Sequence, residues 1–276
     1  PIPRRQRQMC IRDRSCTIDT NDGSLKTVTV TSPGQLYTTP PDITFTAGTT
    51  NPDATAVLEQ YGVINRIDIS DGGSTYTGTP TITIEEPNQV TFDTFSDISG
   101  TTFTLPNNPF TNNLRIVYDN NSGSESIGLS SGTIYYVVNK SGDNFGLATS
   151  QGGSAISLSP SADATSAESH SLKGVNAEAT LTASAGVITG ITITEQGTLY
   201  DGNSLPSITF SEDVGANAAS LQVYCGRSIN NIAINSRGSG YTSAPTVSIA
   251  NATGDSTGVV AVLLQQLSVS QSVLLI

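Results

Sequence analysis

Short bursts of alternating apolar and polar positions run along the chain, and four of them share one pattern. "LKTVTVTSPGQLYTTPPDITF" starts at Leu25 and "INRIDISDGGSTYTGTPTITI" at Ile64. "ITGITITEQGTLYDGNSLPSITF" starts at Ile188 and "INNIAINSRGSGYTSAPTVSI" at Ile229. Aliphatic residues two apart (Val28/Val30, Ile67/Ile69, Ile191/Ile193, Ile232/Ile234) predict a strand with one face in a core and Thr, Asp or Asn in water. Each burst then reaches a glycine: Gly34, Gly73, Gly197 and Gly238. Glycine permits the positive φ of a tight turn. Three residues later comes a tyrosine: Tyr37, Tyr76, Tyr200 and Tyr241. Its ring is expected to cover a small core, with the hydroxyl at the rim. A proline follows (Pro41, Pro80, Pro206, Pro245) and opens a second strand, where its missing N–H is tolerated. That strand carries Ile43/Phe45, Ile82/Ile84, Ile208/Phe210 and Val247/Ile249. Small-residue alternation in 54–58, 177–181, 218–223 and 259–264 predicts a third strand for each copy.

The period is about 40 residues, too short to bury a sound core alone. Neighbouring units or other chains must complete it. The first two tyrosines are 39 residues apart and the last two 41, but the middle pair is separated by 124. About 85 residues are therefore inserted within the second copy. The insert has its own strand-like runs, of which "IYYVV" (134–138) is the best candidate for a central strand. The polar stretch 159–171 reads as a mobile return linker.

The expected organisation is all-β: an elongated tandem of three-stranded repeats with one inserted β-domain. The repeats are 16–61, 62–88 plus 174–185, 186–226 and 227–267, with the insert at 89–173. Residues 268–276 read as the start of a truncated fifth repeat. Sandwich, prism-like and propeller-like stacks are all compatible with the pattern.

Composition narrows function more than fold. The formal charge is −11. Residues 1–15 hold five Arg and one Asp, so the remainder has 7 basic and 22 acidic residues, a charge of −15. Such a body repels phosphate backbones, which argues against nucleic-acid binding. No apolar run is long enough to cross a bilayer. The three cysteines, Cys10, Cys16 and Cys225, build no disulfide framework, and Cys225 is expected in a core.

Candidate chemistry is sparse. The single histidine, His170, falls in the polar linker, without a His-Glu-x-x-His or Gly-x-Ser-x-Gly motif around it. The acidic pairs Glu85–Glu86 and Glu212–Asp213 recur at equivalent strand ends. They are weighed as a polysaccharide-cleaving carboxyl pair against solvated turns, and turns are preferred. Calcium is the one ligand considered, at "DISDGG" (68–73) and "DNNSGSE" (119–125). Asx turns explain both stretches more simply. No catalytic, cofactor or metal residue is assigned.

The Ile-x-Ile-x-x-x-Gly-x-x-Tyr-x-x-x-Pro-x-Ile-x-Ile frame resembles repeats of structural proteins of marine tailed phages, including cyanophage-like tail-fibre and baseplate proteins. The insert pieces "TTFTLPNNPFTNNLRIVYDNN", "IGLSSGTIYYVVN" and "NFGLATS" resemble a module of such proteins and of large bacterial surface proteins. The resemblance implies a non-enzymatic virion component that partners other tail proteins, copies of itself, or a host-surface glycan or protein. A bacterial adhesin or carbohydrate-binding module is the alternative, and a depolymerase comes third. Separately, "MCIRDRS" (9–15) resembles a translated sequencing adaptor, so residues 1–15 are expected to pack against nothing.

Overall fold

A computed structural model describes residues 14–31, 34–46 and 50–249. Every regular element among them is a strand, apart from a single 3-10 turn at Gly215–Asn217. The first repeat region holds β1 (Arg14–Ile18), β2 (Leu25–Val30), β3 (Ile43–Thr46) and β4 (Asp53–Leu58). Next come β5 (Tyr61–Asp71) and β6 (Ile82–Ile84). The insert holds β7 (Gln89–Asp93), β8 (Ile98–Ser99), β9 (Thr102–Thr104), β10 (Arg115–Asp119), β11 (Ile134–Ser141), β12 (Asn144–Ala148) and β13 (Ser169–Gly174). Then follow β14 (Glu178–Ser184), β15 (Val187–Glu195), β16 (Tyr200–Asp201), β17 (Ile208–Phe210) and β18 (Ser220–Gly226). The last are β19 (Ile229–Ser236) and β20 (Thr246–Ile249). The protein is all-β. No helix among the described residues is long and apolar enough to cross a membrane.

The chain divides into two compact units, 1–65 with 225–276, and 66–224. The boundaries fall inside β5 and β18. The first unit therefore holds the first and fourth copies of the sequence pattern. The second holds most of the second and third copies, together with the insert.

Both units use the same pairing rule. In the second unit, β6 and β17 pair antiparallel with Thr83 opposite Thr209, Ile82 opposite Phe210 and Ile84 opposite Ile208. In the first, β3 and β20 pair with Thr44 opposite Ser248, Ile43 opposite Ile249 and Phe45 opposite Val247. Counted from the proline, the third residue of each strand faces the third residue of its mate. The two copies in a unit are thus related by a local two-fold. The outer ladders follow the same rule. β14 pairs with β15, placing Leu181 opposite Ile191, and β4 pairs with β19, placing Ala56 opposite Ile232. β18 lies beside β5.

The strands of one copy do not form a sheet of their own, in line with the expectation that neighbouring units must complete each core. The three strands of the third copy go to three different sheets: β15 to β14, β17 to β6 and β18 to β5. Among the described residues, the first, second and third copies each lend their third strand to the mate's first strand. The physical cause is the one anticipated for short repeats, since about 40 residues cannot close a core. Each small core mixes residues from both mates. One contains Leu25, Phe45 and Val247, and the other Tyr76, Leu181 and Ile188 with Phe210 against them. Burial of each large apolar side chain contributes about 1.5–3 kcal/mol.

The insert is one antiparallel sheet in the order β7-β13-β10-β11-β12-β9-β8. β11, which carries "IYYVV", is the middle strand. Entry strand β7 pairs with exit strand β13, with Gln89 opposite Lys173. The Gly174 N–H donates to the Asn88 carbonyl at 3.0 Å. The insert therefore begins and ends at one place, the condition under which a loop accepts a domain. Its core is aromatic. Phe103 stacks on Phe145 at 5.2 Å between centroids, and Phe92 and Phe110 meet these rings edge-on at 5.1 and 5.0 Å.

Two further expectations change. Residues 159–171 are not a plain linker: Ser161 is buried, and β13 begins at Ser169. Strand β1 starts at Arg14, so the last two residues of the arginine-rich head are paired, Arg14 opposite Val30 and Ser15 opposite Thr29. Residues 1–13, the third strand at 259–264 and the tail 268–276 lie outside the described residues.

Candidate functional site

The repeat positions come together as a backbone lock. Gly34, Gly73, Gly197 and Gly238 all have positive φ, between 60° and 67°. A Cβ on Gly197 would lie 2.6 Å from the Val175 carbonyl oxygen and 2.7 Å from the Ala177 nitrogen. On Gly73 it would meet the Asn217 oxygen at 2.5 Å and the Ala219 nitrogen at 2.7 Å. On Gly238 it would meet the Thr50 oxygen at 2.4 Å and the Pro52 nitrogen at 2.8 Å. These three glycines are where the mate's third strand presses backbone against backbone.

The tyrosines complete the lock. Tyr76, Tyr200 and Tyr241 are buried, while Tyr37 is half-buried. The Tyr200 hydroxyl accepts the Ala177 N–H at 2.8 Å, and the Tyr76 hydroxyl accepts the Ala219 N–H at 2.9 Å. The expected hydroxyl at the rim is therefore wrong for these two. The hydroxyl binds the orphan N–H where the mate's third strand begins. The corresponding residue for Tyr241 is Pro52, which has no N–H, and the buried Tyr241 hydroxyl has no partner among the described residues. Pro41, Pro80 and Pro245 are buried, and Pro206 is half-buried in the copy with two extra residues before it.

The residue before each tyrosine carries a signal the sequence reading missed. Leu36, Thr75, Leu199 and Gly240 all have positive φ, at 64°, 70°, 59° and 78°. Only the fourth copy fills this position with glycine.

A second constellation sits in the insert, and His170 is its centre. The imidazole is fully buried on β13, directly opposite Phe92 of β7. Nδ1 lies 2.8 Å from the Tyr118 hydroxyl, and Nε2 lies 3.1 Å from Oε2 of Glu168. Glu168 also accepts the N–H groups of Ser124 and Glu125, at 3.0 and 2.9 Å. The Glu125 N–H bond, the His170 bond and the Ser124 N–H bond hold its carboxyl at about 2, well below the ordinary range. An ionised Glu168 can only accept, so Nε2–H donates to it. Burial, reinforced by Glu125, pushes the Tyr118 hydroxyl up to about 12. Both carboxylate oxygens of Glu125 accept hydroxyls, one from Thr94 and one from Ser161. Those hydroxyls are 2.8 Å apart, and the Glu168 N–H donates to Thr94 Oγ1 at 2.9 Å.

Ligand atoms of Glu125, Glu168 and His170 lie within 4.8 Å of one another, a spacing suited to a small cation. All three are already engaged by neighbouring donors or acceptors. The arrangement pins three segments, around Thr94, Ser124–Glu125 and Ser161, to β13. Phenol and carboxyl are held far from neutral titration, in the un-ionised and ionised forms respectively. From the sequence, His170 was named as a linker residue and Glu125 as the last residue of the stretch 119–125 weighed for calcium, whereas Glu168 was not singled out. The alternation of His170, Leu172 and Gly174 was the available sign of a buried strand face.

The remaining candidates bind backbone. Glu85 accepts the N–H and hydroxyl of Ser207, both at 2.9 Å, which lowers its carboxyl. Glu212 accepts the Thr77 N–H at 2.9 Å. One carboxylate of each pair, Glu85 and Glu212, thus caps the mate repeat, while Glu86 faces Lys173 and Asp213 accepts the Gly215 N–H of its own turn. In the two stretches weighed for calcium, Asp71 accepts the Gly73 N–H and Asp119 the Asn121 N–H, each at 2.9 Å, as Asx turns. Cys225 is buried, in keeping with its expected place in a core. No protein-family model matches the chain, no curated protein matches its sequence and no solved structure matches its fold.

Proposed function

We propose that this chain is a structural component of a tailed-phage virion, in a fibre, baseplate or related appendage. It acts by shape, as a modular β scaffold that needs no catalytic residue. The observation that carries this reading is the reciprocal lock. Each of two tyrosines seals the third strand of the other repeat, at Ala177 and at Ala219. Repeats that can close only on one another suit an elongated tandem whose faces dock other tail proteins, copies of itself or a host surface. The acidic body and the four-fold recurrence of the Gly-x-x-Tyr-x-x-x-Pro frame support the same reading.

The test is compositional. In gradient-purified particles of the phage that carries the gene, peptides of this chain are expected in fixed ratio to tail proteins. Labelled antibody is expected on the tail. Recovery from a bacterial envelope instead, with clean particles, overturns the virion reading in favour of an adhesin.

A further inference from the structure

The insert gathers polar side chains from four segments of the chain. Thr94 follows β7, Glu125 follows β10, Ser161 lies in the stretch before β13, and Glu168 and His170 stand where β13 begins. Thr94 and His170 are fully buried, Ser161 is buried, and the two glutamates are half-buried. The carboxylates are thus the solvent side of the cluster and the imidazole is its floor.

The oxygens of this cluster lie closer together than its protons explain. Thr94 Oγ1 and Ser161 Oγ each contact one oxygen of Glu125, and they contact each other at 2.8 Å. Three such contacts need three protons, and two hydroxyls supply only two. The Glu168 N–H reaches Thr94 Oγ1 from outside the triangle and adds none to it. One positive charge is missing. The ion pairs point the same way. Among the described residues, lysine and arginine pair with Asp68, Glu195, Glu86 and Asp119, and with neither Glu125 nor Glu168. Carboxylates removed from water are paired or hold a metal.

We propose that Glu125, Glu168 and His170 bind a divalent first-row metal ion of the zinc type, which supplies the missing charge. Their ligand atoms already lie within 4.8 Å of one another. Imidazole nitrogen with carboxylate oxygen is a zinc donor set, whereas calcium and magnesium take oxygen alone. The outer partners that orient metal ligands are also in place. Glu168 is held by the N–H groups of Ser124 and Glu125, and Nδ1 of His170 faces the Tyr118 hydroxyl at 2.8 Å. Nε2 and Oε2 of Glu168, 3.1 Å apart across a proton, share the ion instead. Ligation takes the Nε2 lone pair. The one proton of the neutral imidazole then sits on Nδ1 and is donated to the Tyr118 oxygen. The ion is structural: it ties the segments around Thr94, Glu125 and Ser161 to β13.

His170 is the only histidine in the chain, so its ring nitrogens report on this site alone. The test is imidazole-nitrogen NMR on the full-length protein, first stripped of metal by a chelator and then titrated with zinc. Zinc is expected to shift the Nε2 resonance, to leave the ring proton on Nδ1, and to raise the melting temperature of the insert. Glu125→Gln keeps the shape of the side chain and removes a ligand charge. It should weaken zinc binding at least about tenfold. Unmoved His170 resonances overturn the proposal, whether zinc binds elsewhere on the chain or not at all. Undiminished zinc affinity in Glu125→Gln overturns it as well. So does a Glu125 carboxyl found protonated at neutral pH by carbon NMR and indifferent to zinc, because a proton then fills the triangle.

Discussion

Tyr200 and Tyr241 occupy the same place in the same repeat, yet they end differently. Tyr200 accepts an N–H from Ala177, while Tyr241 is sealed in with no donor among the described residues because Pro52 stands in the corresponding place. Both rings are buried. Ring burial is thus set by the repeat frame, whereas satisfaction of the hydroxyl depends on one residue about 23 positions upstream in one case and far away in sequence in the other. The hydrophobic part of the lock tolerates variation that the polar part does not. An unpaired buried hydroxyl costs about 1–3 kcal/mol, so the two units carry the same architecture at different internal cost.

The largest effect should come from the glycine. Gly197→Ala forces a side chain into a left-handed backbone and onto the Val175 carbonyl. It should cost about 3–4 kcal/mol, read by denaturant unfolding followed through the second unit. A loss below 1 kcal/mol would show that the close backbone approach is not structural.

Next come the tyrosines. Tyr200→Phe orphans the Ala177 N–H and should cost about 1–3 kcal/mol. Tyr241→Phe removes a hydroxyl that already lacks a partner and should be neutral or slightly stabilising. Equal costs would break the comparison. Pro52→Ala supplies the missing N–H, so a double-mutant cycle of Pro52→Ala with Tyr241→Phe should return a coupling of about 0.5–1.5 kcal/mol.

A gain of similar size is expected at Thr75. It is exposed with φ at 70°, where the fourth copy has Gly240. Thr75→Gly should stabilise the second unit by about 1 kcal/mol by relieving strain in a β-branched residue. No gain in melting temperature would mean the neighbouring turn over-determines that conformation.

The smallest contrast is in acid. The Glu168 carboxyl lies near 2 when folded, against an ordinary value of 4.5. Between those values the unfolded chain binds the extra proton, so stability is fully present above about 4.5 and is lost as pH falls towards 2. Melting of the insert should decline over that window, and Glu168→Gln should flatten the decline. An unchanged acid limb in the variant would place the sensitive group elsewhere.

Much of the architecture was readable because strands advertise themselves by alternation and turns by glycine. The paired aliphatics, the four glycines and the central "IYYVV" run are local signals with local causes. The pairing partners were not readable. Nothing in "PTITI" says that it will face "PSITF" with Thr83 opposite Thr209, because antiparallel register is set by what else must be buried on the same face. His170 was misplaced for a related reason. Its flanks are Ser and Glu, which score as loop, yet β7 and β10 bring Phe92 and Tyr118 against the ring.

The sequence by itself determined an all-β chain, its turn positions, the insert and the residues able to fill small cores, since each follows from the geometry of a few adjacent residues. Tertiary structure alone decided that mates exchange strands, that the Tyr76 and Tyr200 hydroxyls meet backbone N–H groups, and that Glu125, Glu168 and His170 converge. Those outcomes require groups distant in sequence to share one dry volume, where every donor must find an acceptor.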